Sequence, residues 1–432
     1  MKLSLSVVLM LNILLLSVSA FASNRTVCFQ IAFNDDRLSC PAPGTTGARF
    51  TCAPTNGWST AMGATVQLWD KDPVGGDDFI GYFVTGRSPG LSSCITFDWE
   101  ASSASSDGES NPDLFLRYTY EASGQANGNF AQARDGSNNL LPTLTWRNGT
   151  SSAPDQYVAV DCAIGSSCWI NGGGILIPNS SGNSIETIAM AAVDAAGFAM
   201  APWVAVEDQS PTRLIRLRID DSLCSTGCVY SDEFMDLTWA KANQPEVVMH
   251  ELGHLYHRRA WANELEGPNY TYMDPGGGWN QFTEEHEEAT FIEGWATYFA
   301  AVGYYNPNAT TVTPMFGLYN IESNQYGGQF GSCASGFRRI GNVIRSLWDL
   351  DDWINEPAHA TNPNGVADDT SVSSTSLYLV LESFLSGTTN RRREESDVDG
   401  PNMRDYLTVG GFTTSQRLTA LEHNCLEDQD DF

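Results

Sequence analysis

Two histidines separated by three residues are the feature of this sequence best suited to chemistry. His250 and His254 lie on either side of Glu251, in a segment that begins at Pro245. On an α-helix, a separation of four residues places both imidazoles on one face. There they can bind one zinc ion at about 2.1 Å each. Glu251 is too close in sequence to His250 to be a favourable third ligand. It is expected to act as general base toward a zinc-activated water.

The segment around this motif has the features of a helix that begins at Pro245. Proline suits the first helical turn, and Glu246 suits the positive end of the helix dipole. Val248, Leu252 and Leu255 recur at helical spacing and predict an apolar face directed to the core. This context favours a genuine metal-binding motif over a chance occurrence.

A zinc site needs a third protein ligand, and the chain offers several side chains for it. His257 follows His250 by seven residues, about 10 Å along a helix axis, so one straight helix cannot bring both to one ion. We expect His257 beside the site or facing solvent. Glu293 is the better ligand, and Glu287 and Glu288 are its competitors.

The predicted helix that carries Glu293 has a small face and a bulky face. The small face comprises Ala289, Ala296 and Ala300, and the bulky face, directed to the core, comprises Phe291, Trp295 and Phe299. A bond of about 2.0 Å between carboxylate and zinc requires the two helices to approach closely, which small residues permit. Gly294 lowers helix propensity by about 1 kcal/mol, so we expect close packing there.

Two segments together resemble a known group of enzymes: His250-Glu251-Leu252-Gly253-His254 and Glu293-Gly294-Trp295-Ala296. They are similar to the gluzincin metallopeptidases, the clan of thermolysin-like and aminopeptidase-N-like enzymes. The resemblance implies an α+β zincin-like domain with His250, His254 and Glu293 as ligands and Glu251 as base. The chain departs from the pattern in a longer separation between His254 and Glu293. It also lacks the upstream Gly-x-Met-Glu-Asn segment of aminopeptidases, which favours an endopeptidase.

Further side chains are candidates for supporting roles around the metal. A hydrolytic site needs a donor for the developing oxyanion. The candidates are Tyr298, Tyr272, Tyr270, His286 and His359. Asp349 is a candidate to orient a zinc-binding histidine, since a carboxylate commonly holds the second ring nitrogen.

Residues 23–125 are predicted to form an antiparallel β-sandwich. The alternating segments 65–69, 95–99 and 114–118 are separated by Gly-, Ser-, Pro- and Asp-rich turns. This module resembles transthyretin-like β-sandwich domains. The spacing of Asp70, Asp72 and Asp78 looks like a calcium loop of C2 domains, although an acidic hairpin turn is the simpler interpretation.

The rest of the chain divides into three further predicted parts. Residues 1–22 resemble a signal peptide, with Lys2 before an apolar run and small residues at the end. Residues 126–154 are rich in Gly, Asn and Ser and are predicted to be a linker. Residues 155–432 are predicted to form one α+β domain. The protein is therefore expected to be multidomain and secreted, with the periplasm as the alternative location.

Composition agrees with an exported protein and limits its partners. The net charge of −29 argues against nucleic acid and against anionic membranes, both of which require basic patches. The ten cysteines are even in number and follow the signal segment, which allows up to five disulfides. Cys162 with Cys168, and Cys224 with Cys228, could close short loops.

These features predict a secreted zinc-dependent peptidase with a protein or peptide substrate. Two other functions fit the same residues: a non-catalytic binding or adhesion protein with a metallopeptidase-like domain, and a zinc hydrolase of a non-peptide amide or ester. Glu251 favours an enzyme, because a binding protein has no need of the base. Oligomeric state does not follow from the sequence.

Overall fold

The fold was analysed in a computed structural model of the full chain. The structure describes residues 24–29, 31–34, 58–60, 64–70, 76–84, 93–98, 113–123, 130–141, 144–145, 160–161, 167–169, 175–177, 185–200, 214–224, 227–229, 231, 233–260, 285–305, 307, 315–316, 319–321, 340–351, 372–373, 376–381, 402–418 and 420. The predicted signal peptide, residues 1–22, lies outside these ranges.

Seventeen strands are present among the described residues. Their bounds are β1 (Asn24–Phe29), β2 (Ile31–Asn34), β3 (Trp58–Thr60), β4 (Ala64–Asp70), β5 (Asp78–Val84), β6 (Ser93–Asp98), β7 (Asp113–Ser123), β8 (Phe130–Asp135), β9 (Leu144–Thr145), β10 (Val160–Asp161), β11 (Ser167–Trp169), β12 (Ile175–Ile177), β13 (Leu214–Ile219), β14 (Gly227–Val229), β15 (Phe234–Leu237), β16 (Met315–Phe316) and β17 (Tyr319–Asn320).

One nine-stranded sheet organises the described residues. Its main path runs β14-β15-β13-β8-β7-β4-β5, with β9 and β10 paired to β7. Smaller sheets contain β11-β1-β6, β12-β2-β3 and β16-β17. Alternation of apolar residues explains these strands, as in β13, where Ile215, Leu217 and Ile219 are buried and the residues between them are partly exposed.

Strand β8 lies within residues 126–154, for which the sequence predicts a linker. It pairs antiparallel with β7, from the predicted N-terminal module, and parallel with β13, from the predicted C-terminal domain. One sheet therefore contains strands from both sides of that segment. The β-sandwich and the division of the chain into two domains stay predictions.

The helices of the described residues pack on one another and on this sheet. They are α1 (Ile185–Met200), α2 (Trp239–Ala242), α3 (Pro245–Ala260), α4 (Glu287–Tyr304), α5 (Ile340–Asp351), α6 (Met403–Val409) and α7 (Thr414–Leu418). Residues 376–381 are also helical. Helix α1 packs on β7 and β8 and contacts α3, so it lies between the sheet and the two motif helices. None of these helices combines the length and apolar character needed to cross a membrane.

Helices α3 and α4 share the most extensive contact of any helix pair among the described residues. They run antiparallel, because Glu246 at the start of α3 accepts a hydrogen bond from Tyr304 at the end of α4. Further along, a Cβ added at Gly253 would lie 2.6 Å from Cα of Ala296. The predicted small face of α4 therefore does contact α3, and neither helix has room there for a larger side chain.

Gly294 lies on the opposite side of α4, against α5. A Cβ added at Gly294 would lie 2.7 Å from Cβ of Val343. The close packing predicted at this glycine is confirmed, and it explains why a residue of low helix propensity occurs inside α4.

The described cysteines agree only in part with the expected short disulfide loops. Cys28 and Cys94 form a disulfide between the directly paired strands β1 and β6, and Cys168 is also disulfide-bonded. Cys224 and Cys228 are thiols, so the loop predicted for that pair is wrong. Instead, Sγ of Cys224 donates to the backbone carbonyl of Asp236 at 3.6 Å. Cys162 lies outside the described residues.

The contact between α3 and α4 can be tested with two alanine substitutions. Gly253→Ala should lower the free energy of unfolding by about 1–3 kcal/mol relative to Gly303→Ala, because overpacking must push the two backbones apart. Gly303 is the matched control, since a Cβ there would lie 3.0 Å from the sulfur of the flexible Met249 side chain and at the ordinary contact distance of 3.5 Å from Cβ of Ala199. Urea unfolding of both variants measures the difference. Equal stability would contradict the close approach.

Candidate metal centre

Three side chains converge where α3 and α4 cross at their closest approach. His250 and His254 project from one face of α3, as the i, i+4 spacing requires. Glu293 projects from α4 toward the same point. Its approach is possible because Gly253 and Ala296 leave no side-chain bulk between the helices. Of the described residues, these three form the group of His, Cys, Asp and Glu side chains able to hold a metal ion.

The distances between the three potential ligand atoms suit a tetrahedral ion. Nε2 of His250 lies 3.1 Å from Nε2 of His254. Oε2 of Glu293 lies 3.2 Å and 3.3 Å from these two nitrogens. Two ligands on a tetrahedral zinc, each at about 2.0–2.1 Å, are separated by about 3.3 Å. The three atoms therefore form a triangle of the size that one zinc ion would occupy.

The charges in this cluster favour a bound cation. Glu293 is only 2% exposed, and burial by itself raises the pKa of its carboxyl group. Attraction to His254 and hydrogen bonds from both imidazoles outweigh burial and hold the pKa of Glu293 well below its usual value. The carboxylate thus stays ionised inside the protein, in a position where a divalent ion could replace the imidazole protons as its partner.

His254 shows the reciprocal effect. Burial by itself lowers the pKa of His254, but the Glu293 carboxylate attracts and hydrogen-bonds the charged imidazole, so the net shift raises this pKa. The His254 side chain is 12% exposed, against 9% for His250. Both imidazoles are therefore largely shielded from solvent.

Thr297 holds the second ring nitrogen of His250. Its Oγ1 lies 3.2 Å from Nδ1 of His250, and both groups are buried. When Nδ1 carries the ring proton it donates to the hydroxyl oxygen, and the lone pair of Nε2 then points at the other two ligands. Thr297 follows Glu293 by one helical turn on α4, so one helix supplies both a potential ligand and the group that orients another.

Glu251 lies between the two histidines in sequence and is 8% exposed. Burial raises its pKa, and the negative charge of Glu293 adds to the effect, whereas His254, His250 and Lys241 oppose it. A carboxylate with a raised pKa beside a potential metal site is suited to accept a proton from water.

His257 does not face solvent, which was one of the two positions expected for it, and a position beside the site stays a prediction. It is 0% exposed, and its ring packs against Phe291 with centroids 6.0 Å apart. The expectation that it faces solvent is wrong, because α4 covers this side of α3 as well.

Of the competing acids, Glu287 accepts a hydrogen bond from Asn402, and Glu288 is buried at the start of α4. Neither belongs to the metal-sized cluster.

The oxyanion candidates are only partly within the described residues. Tyr298 is buried, and its hydroxyl donates to Oδ2 of Asp351 at 2.8 Å, so it points toward α5 rather than into the metal cluster. His286 is the residue before the first turn of α4, about 10 Å along the axis from Glu293. Tyr270, Tyr272 and His359 lie outside the described residues.

Two other acidic groups singled out in the sequence lie elsewhere. Asp349 is buried on α5. It was expected to hold the second ring nitrogen of a zinc-binding histidine, but at His250 that nitrogen, Nδ1, faces Thr297 instead. At the possible calcium loop, Asp70 ends β4 directly opposite Asp78. Asp77 beside them forms an ion pair with Arg117, and Asp72 lies outside the described residues. A calcium ion at this loop stays a prediction.

Sequence reasoning missed two residues that border the site. Thr297 had a usable signal, because it follows Glu293 at helical spacing. Gly227, which packs against Glu251, had none, because it lies on a strand whose position beside α3 is set by the sheet.

Comparisons with known proteins add little to this geometry. No protein-family model and no curated protein matches the chain. Among solved structures, the chain is similar to a 9R-lipoxygenase from Cyanothece PCC8801, with 13% identity and a TM-score of 0.18. The match covers 43% of this chain and 24% of the lipoxygenase. A TM-score this low does not indicate a shared fold.

Replacement of Glu293 tests the metal cluster directly. Glu293→Gln keeps the shape of the side chain but removes the charge. It should therefore weaken zinc binding by more than the roughly 10–100-fold that loss of a supporting residue costs. Glu287→Gln, on the same helix, is the control and should bind zinc as the wild type does. Calorimetric titration of metal-free protein measures both. Wild-type affinity in Glu293→Gln would exclude this glutamate as a ligand.

The role of Thr297 can be separated from its packing. Thr297→Val preserves the volume but leaves Nδ1 of His250 without its partner, and it should weaken zinc binding about 10–100-fold. Thr297→Ser retains the hydroxyl and should bind zinc within a few-fold of wild type. Equal affinities in the two variants would mean that the hydrogen bond does not orient the imidazole.

Proposed function

We propose that this protein is an exported zinc-dependent endopeptidase. The observation that carries the proposal is the metal-sized triangle of His250, His254 and Glu293, with the carboxylate of Glu251 supplied by the same helix. The proposed relationship to the gluzincin metallopeptidases rests on these four residues and on the two motif helices that hold them.

The donor set supports zinc rather than another ion. Two imidazoles and one carboxylate leave a fourth tetrahedral position open, which is the arrangement of catalytic zinc sites. Magnesium and calcium prefer oxygen ligands and higher coordination numbers, for which this cluster offers too few oxygens among the described residues.

The chemistry divides between the metal and the chain. A bound zinc ion supplies Lewis acidity, which polarises a carbonyl group and lowers the pKa of water. In this proposal Glu251 would accept the proton of the attacking water and return it to the departing amine. Its buried environment and raised pKa support both transfers, because the group must hold the proton between the two steps. Thr297 keeps the His250 ring in one orientation throughout.

The position of β14 supports a peptide as substrate. Among the described strands, it is the last in the main path of the nine-stranded sheet and pairs with β15. It also contacts α3, which carries Glu251. Extended peptides can bind proteins by adding a strand to a sheet, which favours a peptide over a small ester or amide.

Export is supported by the signal-like segment 1–22 and by the disulfide between Cys28 and Cys94. Disulfides persist in oxidising compartments and are rare in the cytosol. The high negative charge is compatible with a protein that acts on other proteins in solution, with neither nucleic acid nor a membrane as partner.

Comparison of Glu251→Gln with wild type tests the proposal. The variant should retain zinc and lose about 10²–10⁴-fold in kcat/KM, because only proton transfer is removed. The assays use casein, a short blocked peptide and a nitrophenyl ester, each with and without a chelator.

Chelator-sensitive cleavage of casein by wild type alone is the expected result. Cleavage of the ester but of neither polypeptide would indicate a non-peptide hydrolase. A zinc-loaded wild type that cleaves none of the three would indicate a binding protein. Equal activity in both proteins would remove Glu251 from the reaction.

A further inference from the structure

Gly227 begins the edge strand β14, close to the proposed general base. It pairs with Leu237 of β15, and its strand contacts α3. A Cβ added at Gly227 would lie 2.6 Å from Cδ and 2.7 Å from Cγ of Glu251, and closer still to Oε1. The side chain of Glu251 therefore occupies the space next to the Cα of this glycine.

The absence of a side chain at this position has no conformational explanation. The φ angle of Gly227 lies outside the left-handed region that favours glycine, in contrast to Gly76 and Gly411. A β-strand also disfavours glycine, which has no side chain to pack. What requires glycine here is space, and the space is taken by the Glu251 side chain.

We propose that Gly227 is a positioning residue for the reaction: its bare backbone forms the wall that sets the rotamer of Glu251. This inference rests on the proposed function. Glu251 has several rotatable bonds, so α3 alone does not determine where its carboxylate lies. The edge strand, held by its ladder with β15, supplies the missing constraint.

Gly227 constrains the side chain of Glu251 and not the metal ligands. The three atoms nearest to an added Cβ all belong to Glu251, whereas the ligands are held by α3, α4 and Thr297. A methyl group at position 227 should therefore displace the carboxylate of Glu251 and leave the metal cluster intact. Displacement of a reacting group by about 1 Å can lower a rate about 100-fold.

The experiment compares Gly227→Ala with a matched control, Gly136→Ala. A Cβ at Gly136 also meets a carboxylate side chain, at 2.7 Å from Cγ of Asp220, but Asp220 lies in the turn after β13 rather than beside the metal cluster. Gly227→Ala should bind zinc as wild type does, keep a similar KM for casein peptides and lose about 10–100-fold in kcat. Gly136→Ala should retain wild-type kcat.

A double-mutant cycle separates positioning from general disruption. Glu251→Ala removes Cγ, Cδ and Oε1, the three atoms that a methyl group at position 227 would meet. Adding Gly227→Ala to Glu251→Ala should therefore lower the residual kcat by less than about threefold, far less than in the wild-type background. Equal fold-losses in both backgrounds would overturn the inference, as would unchanged kcat in Gly227→Ala.

Failure to fold is also informative. If Gly227→Ala does not fold, the double variant should fold when the clash is with Glu251, and it should remain unfolded when Gly227 serves the sheet alone. The second outcome overturns the inference. Failure of the proposed function is distinguishable, because it appears as a zinc-loaded wild type that cleaves no substrate.

Discussion

The contact between Gly253 on α3 and Ala296 on α4 is the constraint on which the rest of the site depends. A carboxylate reaches only a few ångströms from its helix, and zinc bonds are about 2 Å long. Glu293 can therefore meet His250 and His254 only if the two backbones nearly touch, as they do at Gly253. On the other side of α4, Gly294 similarly allows close packing against Val343 of α5.

The close approach of α3 and α4 also determines the pKa of the Glu293 carboxyl group. Burying an isolated carboxylate is unfavourable, and a buried charge is retained when it is paired and hydrogen-bonded. Glu293 is inaccessible to solvent, yet both imidazoles face it at hydrogen-bonding distance, and their attraction exceeds the effect of burial on its pKa. The negative charge of Glu293 therefore requires a positive partner, which is either protons on the imidazoles or one divalent ion.

The sheet and the helix pair contribute different parts of the same site. The helices carry the potential ligands and Thr297, whereas β14 approaches α3 from the sheet and borders Glu251. Glu251 therefore lies at a boundary between two packed layers, against the backbone of Gly227 on one side, and burial raises its pKa.

The sequence by itself determined what depends on local periodicity. The i, i+4 spacing of His250 and His254, the helix start at Pro245 and the small face around Glu293 all follow from 3.6 residues per turn, and the helices occur where this pattern placed them. Only the tertiary structure decided that Thr297 faces His250, that His257 is buried under α4 and that Gly227 abuts Glu251. Each of these is a contact between elements distant in sequence. Their relative placement follows from how whole faces pack together, which no local pattern specifies.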